Sequence, residues 1–246
     1  MAVQEEVAEE GMVPFGTENL LDGVYPVEMK SGSVLFKADH CELTVRDGQM
    51  EVTLYMSSDS YLAMFAGTAE EVAADGAETI PLEDGAFTLP VKALDEALSF
   101  AAYSRKNERW YDRTLLFLSD SLPADAFREG FLPTVESLGL ADGEYTVEVR
   151  LRGGTGKASV SSPARLMVEN GAAVAEIVWS SSKYDYVRIG EEMYLPVNTE
   201  GNSTFLLPVG CFDHSLAIVA DTTAMSQPHE IAYTLYFVSG SVRPVS

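Results

Sequence analysis

Along much of the chain apolar and polar residues alternate one for one. Tyr145, Val147, Val149 and Leu151 interleave with Thr146, Glu148, Arg150 and Arg152, the period of two expected of a half-buried β-strand. Similar runs cover 50–56, 61–66, 87–91, 98–104 and 113–118, then 173–179, 184–189, 204–209, 216–221 and 231–237. Helical periodicity is confined to 68–74 and 124–128. Asp47-Gly48 and Asn170-Gly171 each separate two strand-like runs, where a tight turn needs residues that tolerate positive φ.

The strand pattern occurs twice. Asp22-Gly23-Val24-Tyr25-Pro26-Val27-Glu28 returns as Asp142-Gly143-Glu144-Tyr145-Thr146-Val147-Glu148, 120 residues later. Leu43-Thr44-Val45-Arg46-Asp47-Gly48 returns as Leu166-Met167-Val168-Glu169-Asn170-Gly171 at an offset of 123, and Ser57-Ser58 with Tyr61 match Ser180-Ser181 with Tyr184 at that same offset. Phe87-Thr88-Leu89-Pro90-Val91 recurs as Phe205-Leu206-Leu207-Pro208-Val209; Asp95 and Leu98 recur as Asp213 and Leu216. Thr114-Leu115-Leu116-Phe117 closes the first copy as Thr234-Leu235-Tyr236-Phe237 closes the second. Two copies of one domain follow. Roughly seven or eight short strands in about 100 residues predict an all-β fold of two tandem immunoglobulin-like antiparallel β-sandwiches. The expected division is a flexible acidic arm over 1–19, a sandwich over 20–121, a linker over 122–138 rich in turn residues such as Pro123, Gly130, Pro133 and Gly139, and a second sandwich over 139–246.

Charge narrows the list of partners. Against 38 acidic residues stand 16 basic ones, a net charge of −22, so neither nucleic acid nor an anionic membrane is an expected partner. No apolar run approaches the ~20 residues that span a bilayer. Residues 1–19 carry five glutamates and no basic residue, and read as a mature N-terminus or as the stalk left after a signal has been trimmed. They also fit a cytosolic protein. Asn202-Ser203-Thr204 has the form of an N-glycosylation sequon, a pattern short enough to arise by chance.

Catalytic chemistry is hard to find. Gly153-Gly154-Thr155-Gly156-Lys157 lacks the leading glycine and trailing hydroxyl of a phosphate loop, since Leu151 and Ala158 stand there, and reads as a glycine-rich hairpin tip. No G-x-S-x-G elbow or H-E-x-x-H occurs, and His40 lies in a run without base–nucleophile geometry. Cys41 and Cys211 fall opposite Ala164 and Ala93 in the repeat, which favours two separate thiols over a bridge. The expectation is a protein that is not an enzyme.

Two segments stand out as ligand surfaces. One is the Ser-Ser-x-x-Tyr stretch: Ser57, Ser58, Tyr61 and Met64 in the first copy, Ser180, Ser181, Tyr184 and Tyr186 in the second. A purely structural account, serines forming a bend and tyrosines packing a hairpin, competes with ligand contact. The other is the approach to the last strand, with Met225, His229 and Tyr233. His229 and Tyr233 are four apart and share a strand face, from which an imidazole or phenolate could ligate iron; Arg109 and Arg113 occupy the aligned places of the first copy.

The stations Asp142–Val147, 166–171, Ser180 to Tyr184 and Ile231-Ala232-Tyr233-Thr234-Leu235-Tyr236-Phe237, with their counterparts in 22–118, resemble the NEAT (near iron transporter) domains of Gram-positive surface proteins. That resemblance implies an extracellular or cell-surface binding module of an uptake system with haem or another iron species as ligand. Members carry Y-x-x-x-Y in the final hairpin; here those positions hold His229 and Tyr233, which would make His229 the metal ligand, with Tyr184 or Met225 on the opposite wall. The alternatives are a structural or adhesive surface module that contacts protein and holds no cofactor, and a sugar- or peptide-binding sandwich.

Overall fold

The computed structural model describes residues 7, 12–73, 77–224 and 229–245. The chain divides into two compact units, Met1–Arg128 and Glu129–Ser246. Both are all-β, and every strand pairing is antiparallel.

The first unit contains β1 (Gly23–Pro26), β2 (Glu28–Ser31), β3 (Ala38–Arg46), β4 (Gln49–Met56), β5 (Tyr61–Phe65), β6 (Ile80–Pro81), β7 (Ala86–Val91), β8 (Leu98–Ser104) and β9 (Arg109–Leu118). They form two sheets, ordered β1-β3-β4-β7 and β2-β9-β8-β5-β6. The second unit contains β10 (Gly143–Val147), β11 (Val149–Gly153), β12 (Ala164–Glu169), β13 (Ala172–Val178), β14 (Tyr184–Ile189), β15 (Glu192–Tyr194), β16 (Thr204–Val209), β17 (Ser215–Thr222), β18 (His229–Phe237) and β19 (Arg243–Pro244). Its sheets run β16-β13-β12-β10-β19 and β11-β18-β17-β14-β15. Strand for strand the two topologies coincide, with β19 added at one edge of the second unit. The sequence repeat is thus a repeat of fold.

Alternation places the core. In the second unit Leu166, Ala175, Phe205 and Leu207 from one sheet and Val187, Ile218, Leu235 and Phe237 from the other are at most 3% exposed and form one cluster, the interior of a β-sandwich. The first unit buries the corresponding Leu43, Val52, Leu54, Phe87 and Leu89, with Met64, Phe100, Leu115 and Phe117. The run 145–152 is not one strand. Val147 ends β10 and Val149 starts β11 in the opposite sheet, so a continuous alternation serves two sheets, as it does across β1 and β2.

Both Asp-Gly and Asn-Gly turns form, with φ 52° and 74° at Asp47 and Gly48 and 53° and 77° at Asn170 and Gly171. Three further devices recur at matching positions. Asp95 and Asp213, both at positive φ, each accept a backbone N–H at 2.9 Å, from Ser119 and Ser239, and each also accepts that serine's hydroxyl. Ser121 Oγ and Ser241 Oγ accept the backbone N–H of Glu28 (2.8 Å) and Glu148 (2.7 Å). Tyr25 and Tyr145 donate their hydroxyls to the carbonyls of Leu21 (3.1 Å) and Ala141 (2.9 Å).

Two expected boundaries move. Segment 122–138 does not run free as a linker. Leu122, Ala126 and Phe127 are buried, with the Leu21 N–H on the Ala126 carbonyl at 2.9 Å, whereas Val135 belongs to the second core and the Phe212 N–H reaches the Pro133 carbonyl at 2.8 Å. Nor is 1–19 wholly a solvated arm. Val7 and Met12 cover Leu116 and Leu118 on the outer side of β9, and Phe15 exchanges two 2.9 Å backbone hydrogen bonds with Leu94. Residues 1–6 and 8–11 lie outside the described residues.

Candidate functional site

The repeated tyrosine of each copy opens a strand that carries an irregularity at its second residue. Register shifts between Tyr61 and Ala63 in β5 and between Tyr184 and Tyr186 in β14. One extra residue turns the following side chains over. The buried positions are therefore Tyr61 and Met64 in β5 and Tyr184 and Val187 in β14, three apart instead of two.

In the second unit this places Tyr184 inside an aromatic trio. Its ring stacks on Trp179 with centroids 4.1 Å apart, Tyr233 meets the same indole edge-on at 5.2 Å, and the hydroxyls of Tyr184 and Tyr233 lie 3.1 Å apart. Burial, and then the bond to Tyr233, push the Tyr184 phenol well above its ordinary range. The glycine-rich loop closes over the trio. A Cβ on Gly154 would lie 2.7 Å from the Tyr233 ring, and the backbone there sits at φ +58°, so only glycine fits. The loop is no hairpin tip: β11 and β12, which it joins, belong to different sheets.

The first unit builds the same station differently. Tyr61 packs against Phe36, centroids 5.3 Å apart, and receives a 2.8 Å hydrogen bond from Nη2 of Arg113, the residue aligned with Tyr233. Nη1 of Arg113 donates to the Asp112 carbonyl at 2.7 Å. Its guanidinium lies 5.3 Å from the ring centroids of both Tyr61 and Tyr111, while Arg109 covers Tyr111 at 4.5 Å and donates to its hydroxyl at 2.7 Å. Arg109, Tyr111 and Arg113 thus line up on every second residue of β9.

Two buried side-chain polar atoms have no hydrogen-bond partner among the described residues: Arg113 Nε and Trp179 Nε1. Both belong to side chains touching the repeated tyrosine, one in each unit. Buried donors are nearly always satisfied, so an orphan marks a place where an acceptor belongs. A cavity adjoins each station. One of about 380 Å³ is lined by Phe36 and its neighbours in the first unit, and one of about 690 Å³ by Tyr184, Asp185 and the loop 196–203 in the second. We call these stations the mouths of the sandwiches.

The residues singled out in the second copy are only partly gathered there. Tyr184 and Tyr233 meet. Tyr186 does not join them, because the irregularity at Asp185 turns it to the outer face, where its hydroxyl donates to Glu230 at 2.8 Å and Arg188 clamps the same carboxylate at 3.1 and 3.2 Å. Beneath them the Asp221 carboxyl is held above its usual range by burial and by the neighbouring Asp185, and the charge of His229 opposes that rise. Ser180 and Ser181 build the bend: their hydroxyls accept the N–H of Ser159 (3.1 Å) and Lys183 (3.2 Å). Met225 lies outside the described residues.

His229 and Tyr233 share a strand face but not an environment. His229, first residue of β18, is exposed, whereas Tyr233 is 5% exposed and its hydroxyl is engaged by Tyr184. A haem iron could be met by the imidazole alone; the phenol is sealed in the core. The His229–Tyr233 pair therefore does not fit the two-residue iron site implied by the family pattern. Among the described residues no three His, Cys, Asp or Glu side chains are placed to hold a metal ion. No protein-family model and no curated protein matches the chain.

Proposed function

We propose that the chain is a non-catalytic ligand-binding module with two non-identical sites, one at the mouth of each sandwich. The observation that carries this reading is the pair of orphaned donors, Arg113 Nε and Trp179 Nε1, at one repeated station in each unit, with a cavity lined by Tyr184, which stacks on Trp179, and another lined by Phe36, which packs on the Tyr61 that Arg113 holds. The frame devices of the two copies are the same, while the mouths differ in aromatic, cationic and glycine content. Binding sites on a shared fold diverge in this way. Under the NEAT resemblance such a module would work at a bacterial cell surface, in uptake, with haem as a ligand of the second unit through His229.

The test uses the whole chain and its two indole N–H resonances, Trp110 serving as internal reference for Trp179. Hemin and octanoate are the probes. A saturable shift of the Trp179 indole or of the Arg113 Nε–H signal supports the reading; indifference of both signals to both probes refutes it. Haem ligation in particular requires a Soret band that saturates and is lost in His229→Ala.

A further inference from the structure

The cavity of about 690 Å³ in the second unit is built from the start of β14 and one loop. That loop runs from β15 to β16 over 195–203. The first unit makes the equivalent connection over 82–85, a tight turn in which Glu83 and Ala86 exchange two backbone hydrogen bonds. The longer loop is held by its own side chains. Asn198 Nδ2 donates to the carbonyls of Glu200 (2.7 Å) and Asn202 (2.8 Å), and its Oδ1 accepts the Thr204 N–H at 2.9 Å. Ser203 is buried and ties the loop to β14: its hydroxyl donates to the Tyr184 carbonyl at 2.7 Å and accepts the Tyr184 N–H at 3.2 Å. A compact loop fixed in this way presents its remaining groups in a set geometry, so a ligand meets them with little ordering cost.

The groups left over say what kind of ligand. Ser182, Thr199 and Asn202 line the cavity, and among the described residues their side chains make no hydrogen bond. Asp185, the extra residue of the β14 irregularity, lines it with them. Two hydroxyls, an amide and a carboxylate thus offer both donors and acceptors around one cavity. Tyr184 and Pro196 add ring surface. None of the residues lining it is lysine, arginine or histidine, and the chain carries a net charge of −22, so an anion finds nothing there to neutralise it. A wholly apolar ligand would strip water from these polar groups and return no hydrogen bond. Asp185 is the one charge among them, and the three neutral groups call for a ligand with several hydroxyls of its own.

We infer that the mouth of the second sandwich receives a neutral saccharide. The Asp185 carboxylate accepts hydrogen bonds from adjacent ring hydroxyls, Ser182, Thr199 and Asn202 bond to the others, and the C–H surface of the ring lies against Pro196 and Tyr184. Hydroxyl donors on a carboxylate are charge-assisted, which makes Asp185 the strongest single contact. The inference rests on the mouths being ligand sites and names the ligand class of one of them. The first mouth, whose equivalent connection is a tight turn, takes no part. His229 is not among the residues that line the cavity, so haem ligation is a separate question.

The experiment titrates the full-length chain, at up to tens of millimolar, with the methyl glycosides of glucose, galactose, mannose and N-acetylglucosamine, and with cellobiose and chitobiose. The readouts are the side-chain amide resonances of Asn202 and the backbone amides of Ser182 and Thr199. At least one sugar shifts these signals saturably. Asp185→Ala weakens that sugar about tenfold or more and Asn202→Ala about two- to tenfold, the ranges expected for a charged and a neutral hydrogen bond. Both side chains are exposed, so the variants keep the fold, which their amide spectra check. Absence of a saturable response to every sugar overturns the inference, as does full affinity in both variants. Butylammonium moving the same resonances at lower concentration than any sugar assigns the cavity to cations and overturns it too. The responses of Trp179 and Arg113 to hemin and octanoate judge the broader reading separately.

Discussion

Tyr184 and Tyr233 face each other hydroxyl to hydroxyl at 3.1 Å in the second sandwich, and the same two positions in the first hold Tyr61 and Arg113, 2.8 Å apart. Both tyrosines of the second unit are buried. Removing one hydroxyl leaves the other buried without a partner, so Tyr233→Phe should cost about 1–2 kcal/mol in urea unfolding.

The same burial makes the second unit sensitive to alkali. Its folded-state phenol at Tyr184 is raised above the unfolded value, so the protonated form is favoured by folding. Stability from this group is complete below about pH 10, the unfolded phenol's range, and is lost as pH rises beyond it. Ultraviolet titration should show one tyrosine ionising only with unfolding, and Tyr184→Phe should remove that step.

Arg113 makes the opposite case. If its charge serves a ligand and not the fold, replacing it together with its phenol partner by apolar residues of similar size should do no harm. Arg113→Met with Tyr61→Phe is expected to equal the natural chain in stability or exceed it by up to about 1–4 kcal/mol. A clear fall in the melting temperature would assign the arginine a structural role.

The aspartate clips should behave as twins. Asp95→Ala and Asp213→Ala each strand a serine backbone N–H and lose the matching hydroxyl bond, at about 2 kcal/mol apiece. Differential scanning calorimetry should show a comparable loss for either substitution.

Both thiols are free. Burial pushes Cys41 up to about 12 and raises Cys211 as well, so little thiolate exists near neutrality. A thiol reagent at pH 8 should react slowly with the native chain and at once with two groups after denaturation without reductant. Mass spectrometry finding a Cys41–Cys211 link would contradict this.

Much of the frame is readable from the residues themselves. The strand-like runs 98–104, 184–189 and 204–209 form with those bounds, and the repeat foretells one topology used twice. What escapes is local. A period-two reading keeps Tyr184 and Tyr186 on one face, and nothing in Tyr-Asp-Tyr announces the extra residue that separates them. Arginine in an alternating strand reads as solvent-facing, so the burial of Arg113 appears only once Tyr61 and Phe36 are in place around it. Proline and glycine between 122 and 139 mark turns truly, but turns say nothing of exposure. Leu122 and Phe127 are anchored all the same. A fragment covering 1–128 should therefore be markedly more stable than one covering 20–121, by about 1.5–3 kcal/mol for each large apolar side chain kept from water.

The aspartate–serine clips sit where β8 begins and β9 ends, whereas Arg109 starts β9 opposite Ser104 and Arg113 pairs with Phe100 partway along the hairpin, as Tyr233 pairs with Ile218 in the second unit. What ties down the base of the hairpin is thus separate from the side chains that meet the repeated tyrosine. If the mouths bind ligands as proposed, inherited change there leaves the clips untouched, and a lineage carrying this duplicated frame can try new specificities without first relearning how to fold.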